Sequence, residues 1–447
     1  MNAASIVRWG VLLLAISMSC HPTNESQPTE IQVTCGPGGR ILTNTAVWSP
    51  DSQWIVYDTR SDAAGEKFDS SRIEMVNVRS GEVRQLYESR NGAHCGVATF
   101  HPREPRVVFI LGPENPTPDW RYNAYHRQGV IVDVARPGVV TNLDARDLVP
   151  PFTPGALRGG SHVHVWDPAG EKISFTYEDH VLAQSGLNQR NIGVSVPGRP
   201  VTVPRTHPRN HDGSHYTVLV TRTTANPKPG SDEIKKAFEE GWVGRHALAF
   251  QGHVVIQGAA VSNRRSDDRG GGSKPPLLET ISEVFIADLP DDLTQAGREA
   301  RITQRRLTFT ANRKCPGIQG PRHWLRSSPD GSRIAFLMKD DDGVVQLWTI
   351  SPNGGAPAQL TRNPWPIASA FTWSPDGKRI AHVMDNSICV TDAATGATTR
   401  LTSHSDDASA PRPEACVFSP DGTKIAFVRR VASPDAPANQ IFVVNLR

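Results

Sequence analysis

The sequence predicts an all-β fold: a seven-bladed β-propeller closed by an N-terminal strand, with one long insertion in a middle blade. Three observations predict it. A strand, a Ser-Pro-Asp-Gly turn and a second strand recur along the chain, as in "LRSSPDGSRIAFLMKD" from Leu325, "FTWSPDGKRIAHVMD" from Phe371 and "CVFSPDGTKIAFVRR" from Cys416. The turn prolines Pro329, Pro375 and Pro420 are spaced by 46 and 45 residues, the length of one four-stranded blade. Glycine (37) and proline (36) are frequent, as expected where many short strands are joined by turns.

The elements follow in chain order. Residues 1–20 read as an export signal: Arg8 supplies positive charge, Val11–Ile16 is a short apolar run, and small residues lead to Cys20. The run is too short to span a bilayer, which takes about 20 residues. Residues 21–30 are polar and read as a tether. The propeller then occupies 31–447 as a single domain. Its units start near Ala46, His94, His162, Arg205, His323, Ser369 and Glu414. In each turn the Pro and Gly supply the backbone geometry and the Asp side chain caps it. His101 stands where the turn serine would be and is expected to serve the turn. The unit beginning at Arg205 is expected to carry an insertion over about 224–282, with a short helix at "SDEIKKAFEEGW" whose Ile234, Phe238 and Trp242 share one face. Splitting this unit at "HALAFQGHVVI" would give eight blades instead. The last unit ends on its third strand, and "PGGRILTNT" from Pro37 matches the missing fourth strand, so this segment is expected to close the ring.

Composition excludes some functions. The net charge is +3 with both signs spread along the chain, so no basic patch argues for nucleic acid. No G-x-S-x-G elbow or GxxxxGK[ST] loop occurs. Six cysteines show no CxxC spacing, so no zinc knuckle is expected and buried, unreactive thiols are the default.

Candidate site residues come from position. In a propeller the first strand of each blade lines the central channel. Six residues before the turn proline lie Asn44, His162, His323, Ser369 and Glu414, and eight before it lie His94 and Arg412. Strand alternation puts His164 on the face of His162. The segment "THPRNHDG" brings His207, Arg209 and His211 near the corresponding place in the degenerate unit. Imidazoles with a carboxylate can hold a divalent ion such as Mn²⁺ or Zn²⁺, which points to His94, His162, His164 and His323. Arginines beside them suit a carboxylate ligand.

Three resemblances add to this reading. The apolar run ending at Cys20 resembles a bacterial lipoprotein signal, which implies cleavage before Cys20, lipidation on it and a location in the periplasm or cell envelope. The Ser-Pro-Asp-Gly repeats resemble the WD40-like repeats of TolB-type propellers over everything after the tether. That implies an exported, monomeric protein binding an envelope protein or peptide at its channel mouth, touching the membrane only through its lipid. The segments "GAHCGVATFHPREPRVVFIL" and "GSHVHVWDP" are similar to channel blades of oligogalacturonate lyases. Those enzymes hold a metal with three histidines and a glutamine and cleave acidic oligosaccharides by β-elimination. Here Gln319 is followed by His323 alone, and Gly159 stands before the His162–His164 pair where the glutamine would sit.

Overall fold

A computed structural model describes residues 30–62, 65, 67–257, 278–295, 302–322, 324–432 and 436–446. Its strands form seven four-stranded antiparallel sheets. Blade 1 is Gly39–Ile41, Trp54–Arg60, Arg72–Asn77 and Val83–Glu88; blade 2 is Cys95–Phe100, Arg106–Leu111, Gln128–Asp133 and Val140–Asn142. Blade 3 is Gly159–Trp166, Ile173–Asp179, Asn191–Val196 and Tyr216–Leu219; blade 4 is Ala237–Val243, Ala247–Gln257, Leu278–Asp288 and Thr303–Arg306. Blades 5 and 6 open with Arg326–Ser327 and Thr372–Trp373. Blade 7 is Pro411–Phe418, Lys424–Val431 and Ala438–Asn445, completed on its outer edge by Glu30–Gln32. The ring is therefore closed by an N-terminal strand.

The repeated turns form because each carries its own hydrogen-bond partners. In blade 6 the Asp376 carboxylate accepts from the Lys378 amide at 3.1 Å, and the Ser374 hydroxyl accepts from the Arg379 amide at 2.9 Å. Blades 1, 5 and 7 repeat the pattern with Asp51, Asp330 and Asp421. In blade 2 His101 does serve the turn. Its Nδ1 accepts from the Arg103 and Glu104 amides at 3.0 and 2.9 Å, so its proton sits on Nε2, which donates to the Gly170 carbonyl at 2.9 Å.

Neighbouring blades are stitched at the inner strands. The indole N–H groups of Trp48, Trp242 and Trp373 each donate, at 3.0 Å, to a carbonyl of the preceding blade: Val417, Val165 and Arg326. In the other direction Thr43, Thr99 and Thr372 donate to Ala98, His164 and Cys416 at 2.7–2.9 Å. Apolar strand faces then fill the gaps between blades; Tyr57, Phe109, Phe175, Phe250, Phe285, Phe336 and Phe427 are all buried.

Four expectations are corrected. The closing strand is Glu30–Gln32, whereas Gly39–Ile41, inside the segment expected to close the ring, is the first strand of blade 1. Glu30 thus belongs to the propeller rather than to the tether; the signal, Cys20 and residues 21–29 lie outside the described residues. Second, the segment read as a helix is a strand, Ala237–Val243. Pairing with Ala247–Gln257 buries Trp242 against blade 3, and Gly241 packs so close to the Leu325 carbonyl that any Cβ there would strike it. Tertiary pairing overrides helix propensity. Third, Tyr216–Leu219 ends blade 3 instead of opening a new unit, so the stretch read as an insertion contains the inner strands of blade 4. Blade 4 lacks a Ser-Pro-Asp-Gly turn, with Gly244 at the proline position, which hid its start. Its extra length is a tall hairpin of two 11-residue strands, and 258–277 between them lie outside the described residues. With this assignment the eight-blade alternative falls away. Fourth, Cys35 is exposed, while Cys95, Cys389 and Cys416 are buried.

The closing strand is held by its ladder, by Thr34, whose hydroxyl donates to Gln440 and accepts from the Ile441 amide at 2.9 Å each, and by Glu30, which pairs with Arg429 at 2.7 Å. Deleting residues 1–34 is expected to lower unfolding free energy by about 2–4 kcal/mol in urea, from several lost buried hydrogen bonds and an opened sheet edge. An unchanged denaturation midpoint would show that closure does not depend on this strand.

Candidate functional site: a channel with two chambers

The inner strands converge on a channel with a cavity at each end. The mouth cavity, about 280 Å³, is lined from blade 1 by Asn44, Asp58 and Arg60, from blade 3 by His162 and Val163, from blade 7 by Glu414, and from intervening loops by Phe68, Tyr122, Arg127, Arg322 and Trp324. Asp58 is buried and pairs with Arg60 at 2.8 Å; Glu414 pairs with Arg412 at 3.0 Å. Both lining carboxylates thus have a guanidinium, and Arg127 and Arg322 are positive charge in excess of them. Arg127 lies over the Tyr122 ring at 5.3 Å, and its buried Nε has no partner among the described residues. Phe68 and Tyr122 stack at 4.6 Å, giving an aromatic shelf beside the arginines. Burial pushes the Tyr122 hydroxyl up to about 12, so it stays protonated as a donor.

Tyr122 and Arg127 reach the mouth on the loop between strands two and three of blade 2. This loop lies against Gly160, where any Cβ would strike the Ala124 carbonyl. A polar clamp fixes the loop. Trp120 stacks on His126 at 3.7 Å, and Arg146 donates to the carbonyls of His126 and Gly159 at 3.3 and 3.1 Å. His126 Nδ1 donates to the Arg121 carbonyl at 2.7 Å, so its Nε2 accepts from His180 Nδ1 at 3.1 Å. Arg209, expected at the channel, instead donates to the carbonyls of Glu114 and Asn115 at 2.7 Å and belongs to this clamp.

The other sequence-derived candidates divide. His162 and Glu414 line the mouth as expected, with Arg412 as the partner of Glu414. Burial, then the charges of Arg127 and Arg190, hold His162 neutral well below the usual imidazole range. His94 stands behind the mouth, its ring edge-on to Tyr122 at 6.1 Å. His164 does not share the face of His162. Val163 has φ 55°, and the ladder slips between His162 and Val165, so the bulge turns His164 into the space between blades 2 and 3. There its ring lies 5.7 Å from Phe175 and so near Gly129 that a Cβ on that glycine would be 2.6 Å from Nε2. His211 sits in the loop between the last two strands of blade 3, exchanging backbone bonds with Arg146, and Gln319 bonds the Leu337 carbonyl through its amide at 3.0 Å. His323 and Cys20 lie outside the described residues. Among the described residues no three His, Cys, Asp or Glu side chains stand close enough to hold a metal ion together, so the expected His94–His162–His164 set is not assembled.

Arg326 of blade 5 crosses the channel to the Asn44 side-chain oxygen of blade 1 and separates the mouth from a second chamber of about 350 Å³. That chamber is walled by Trp48, Phe100, Trp166, Trp242, Trp373 and Phe418, with Glu240 and Arg326 beside them. Glu240 accepts from the Thr176 hydroxyl at 3.0 Å. Burial raises the carboxyls of Glu239 and Glu240 to about 7 each, and lowers Arg326 to about 10. Sequence reading missed this group because Glu239 and Glu240 fell in the expected helix. The collar itself was legible: an aromatic stands two residues before Pro50, Pro102, Pro168, Pro375 and Pro420.

Comparison with known proteins places this architecture. The chain is 47% identical over 418 residues to the uncharacterized protein YidR of Escherichia coli (strain K12), covering 89% of this chain and 94% of that protein. The chain belongs to the YidR family. A family profile described as "Protein of unknown function (DUF3748)" matches residues 94–211, the span holding the clamp, Tyr122, Arg127 and His162; another, "Dipeptidyl peptidase IV (DPP IV) N-terminal region", matches 355–433. The oligogalacturonate lyase of Vibrio parahaemolyticus superimposes with a TM-score of 0.56 at 9% identity, over 95% of each chain. An oligogalacturonate lyase in complex with manganese gives 0.52 at 11% identity, over 95% of this chain and 99% of that one. At such identities the likeness is one of fold.

Burial holds the His164 imidazole neutral, down to about 3. Between pH 6.5 and that value the unfolded chain binds a proton that the folded chain refuses, so stability falls as pH falls through this window. His164 alone is expected to cost about 2 kcal/mol between pH 7.5 and 5.0. Urea unfolding of His164→Leu at both pH values should show a smaller loss than the parent by about that amount; equal losses would mean His164 is protonated in the fold.

Proposed function

We propose that this YidR-family propeller is exported and binds a carboxylate-bearing ligand at its channel mouth. The observation that supports the reading is the excess of Arg127 and Arg322 over the paired Asp58 and Glu414, next to the Phe68–Tyr122 shelf. A guanidinium fork accepts a carboxylate through two parallel hydrogen bonds, and a partly enclosed cavity strengthens the pairing. The neutral His162 and the Tyr122 hydroxyl add donors for the rest of the ligand. An acidic oligosaccharide presents carboxylates beside sugar faces that suit an aromatic shelf. An acidic peptide of an envelope partner presents the same group without the sugar face. Export rests on the signal-like residues 1–20, with Cys20 as the lipid-bearing anchor.

Binding should follow the arginines. In calorimetric titrations with trigalacturonate, Arg127→Ala and Arg322→Ala are each expected to weaken binding about tenfold, the worth of one charge-assisted contact. A neutral glucose trimer should not bind. Equal binding of both trimers, or no effect of either substitution, would sink the mouth as a carboxylate site. Localisation has its own check. Cys20→Ser should move the protein from the membrane to the soluble fraction of the envelope, and a parent protein already wholly soluble would exclude the anchor.

A second reading, β-elimination of an acidic oligosaccharide, is favoured by Glu239. Its carboxyl sits at about 7, accepts from the Gln251 side-chain amide and feels the charge of Arg322, a residue of the mouth, although Glu239 is not itself part of the mouth lining. A carboxylate so poised takes the proton α to a uronate carboxylate. The C–H electron pair becomes the new C=C bond, the β C–O bond breaks, and the departing glycosidic oxygen takes a proton from water or from the newly protonated Glu239. The manganese of the lyase complex has no counterpart set among the described residues, so no step is assigned to a metal here. Unsaturated product absorbance, lost in Glu239→Gln with ligand binding kept, would carry this reading; no product with or without added Mn²⁺ would remove it.

A further inference from the structure

We infer that the second chamber, at the turn end of the channel, is a separate binding site for an organic cation: an amine on a compact apolar body. The inference does not rest on the carboxylate reading of the mouth, from which Arg326 and Asn44 divide this chamber.

Charge gives the first argument. Two carboxyls, Glu239 and Glu240, stand on one strand; the charges of Arg326 and Arg190 reach both, and that of Arg322 reaches Glu239. Arg190 is held by Glu178 at 2.6 Å. Asp167, which also lines the chamber, is engaged by the Glu171 amide at 2.7 Å in its turn. The chamber lining itself holds two carboxyls, Asp167 and Glu240, against one guanidinium, Arg326, so with both ionised it is short of one positive charge. Asp167 Oδ2 has no partner among the described residues. Glu240 is buried, with 3% of its surface exposed, and is one of the residues that line the cavity. Two buried carboxylates that share one guanidinium are costly, and a ligand ammonium would reduce that cost.

Shape and chemistry give the second argument. Four indoles and two phenyl rings from six blades surround the space, and the face of an aromatic ring attracts a cation. Two of these rings already do so: Arg333 lies 5.0 Å over Trp373 and Arg379 5.7 Å over Phe418. The indole N–H groups of Trp48, Trp242 and Trp373 are used between blades, which fixes the rings that line the chamber. The volume, about 350 Å³, admits a body the size of a phenylethyl group and too little more for a folded peptide.

Calorimetry on the intact protein with phenethylamine and with 2-phenylethanol, its uncharged analogue, tests the inference. The amine should bind at least about tenfold more tightly than the alcohol, the worth of a buried charge-assisted contact. Its affinity should rise from pH 6 to pH 8, as Glu240 loses its proton while the amine keeps its own. Glu240→Gln should weaken the amine about tenfold and flatten that rise. Galacturonate should not compete. Equal binding of amine and alcohol, no binding of either, or full amine affinity in Glu240→Gln would overturn the site. Competition by galacturonate would overturn its separateness. Should Glu240→Gln fail to fold, the amine and alcohol comparison on the parent protein still decides.

Discussion

The structure depends on one constraint: seven separate sheets must be joined at their inner edges around an axis. An inner strand has a neighbour on only one side within its own blade, so its other edge has to be satisfied across the gap. The chain meets this with side chains. Indoles reach back to the preceding blade and threonine hydroxyls reach forward to the next. The same residues then define the channel, because a tryptophan anchored by its N–H turns its ring toward the axis. Ring closure and the aromatic chamber are therefore one feature seen from two sides.

Closure also explains why the two ends differ. At the turn end the repeats impose regularity, and six blades contribute an aromatic at equivalent positions. At the mouth the blades are joined by loops of unequal length, and the regular pattern gives way to Asp58, Arg60, Arg127, His162, Arg322 and Glu414. Arg326 spans the channel between the ends, bonded to Asn44 on one side and sharing its charge with Glu239 and Glu240. Each end thus offers a different recognition chemistry, guanidinium at the mouth and carboxylate with aromatic rings at the turns.

The sequence revealed what is local and concealed what is not. Each Ser-Pro-Asp-Gly turn is closed by its own serine and aspartate, so the hairpins it joins were read correctly, as was the role of His101. Blade 4 has no such turn, and its inner strand carries an apolar spacing compatible with a helix, so it was misread. His162 and Glu414 were found because distance from the turn proline predicts height in the channel. His164 was misplaced because that ruler assumes strict alternation, and a single positive φ at Val163 breaks it. Similar positive φ values at Val97 and Glu239 mark bulges in the inner strands of blades 2 and 4. Tyr122 and Arg127 could not be found by position, since a loop held by the Trp120–His126–Arg146 clamp delivers them.

The central claim is that the mouth recognises carboxylate through Arg127 and Arg322. A crystal structure of the protein soaked with digalacturonate tests it most directly. The account predicts a ligand carboxylate within hydrogen-bond distance of one or both guanidinium groups, with a sugar ring against the Phe68–Tyr122 shelf. A digalacturonate bound elsewhere, with the mouth arginines untouched, would contradict it.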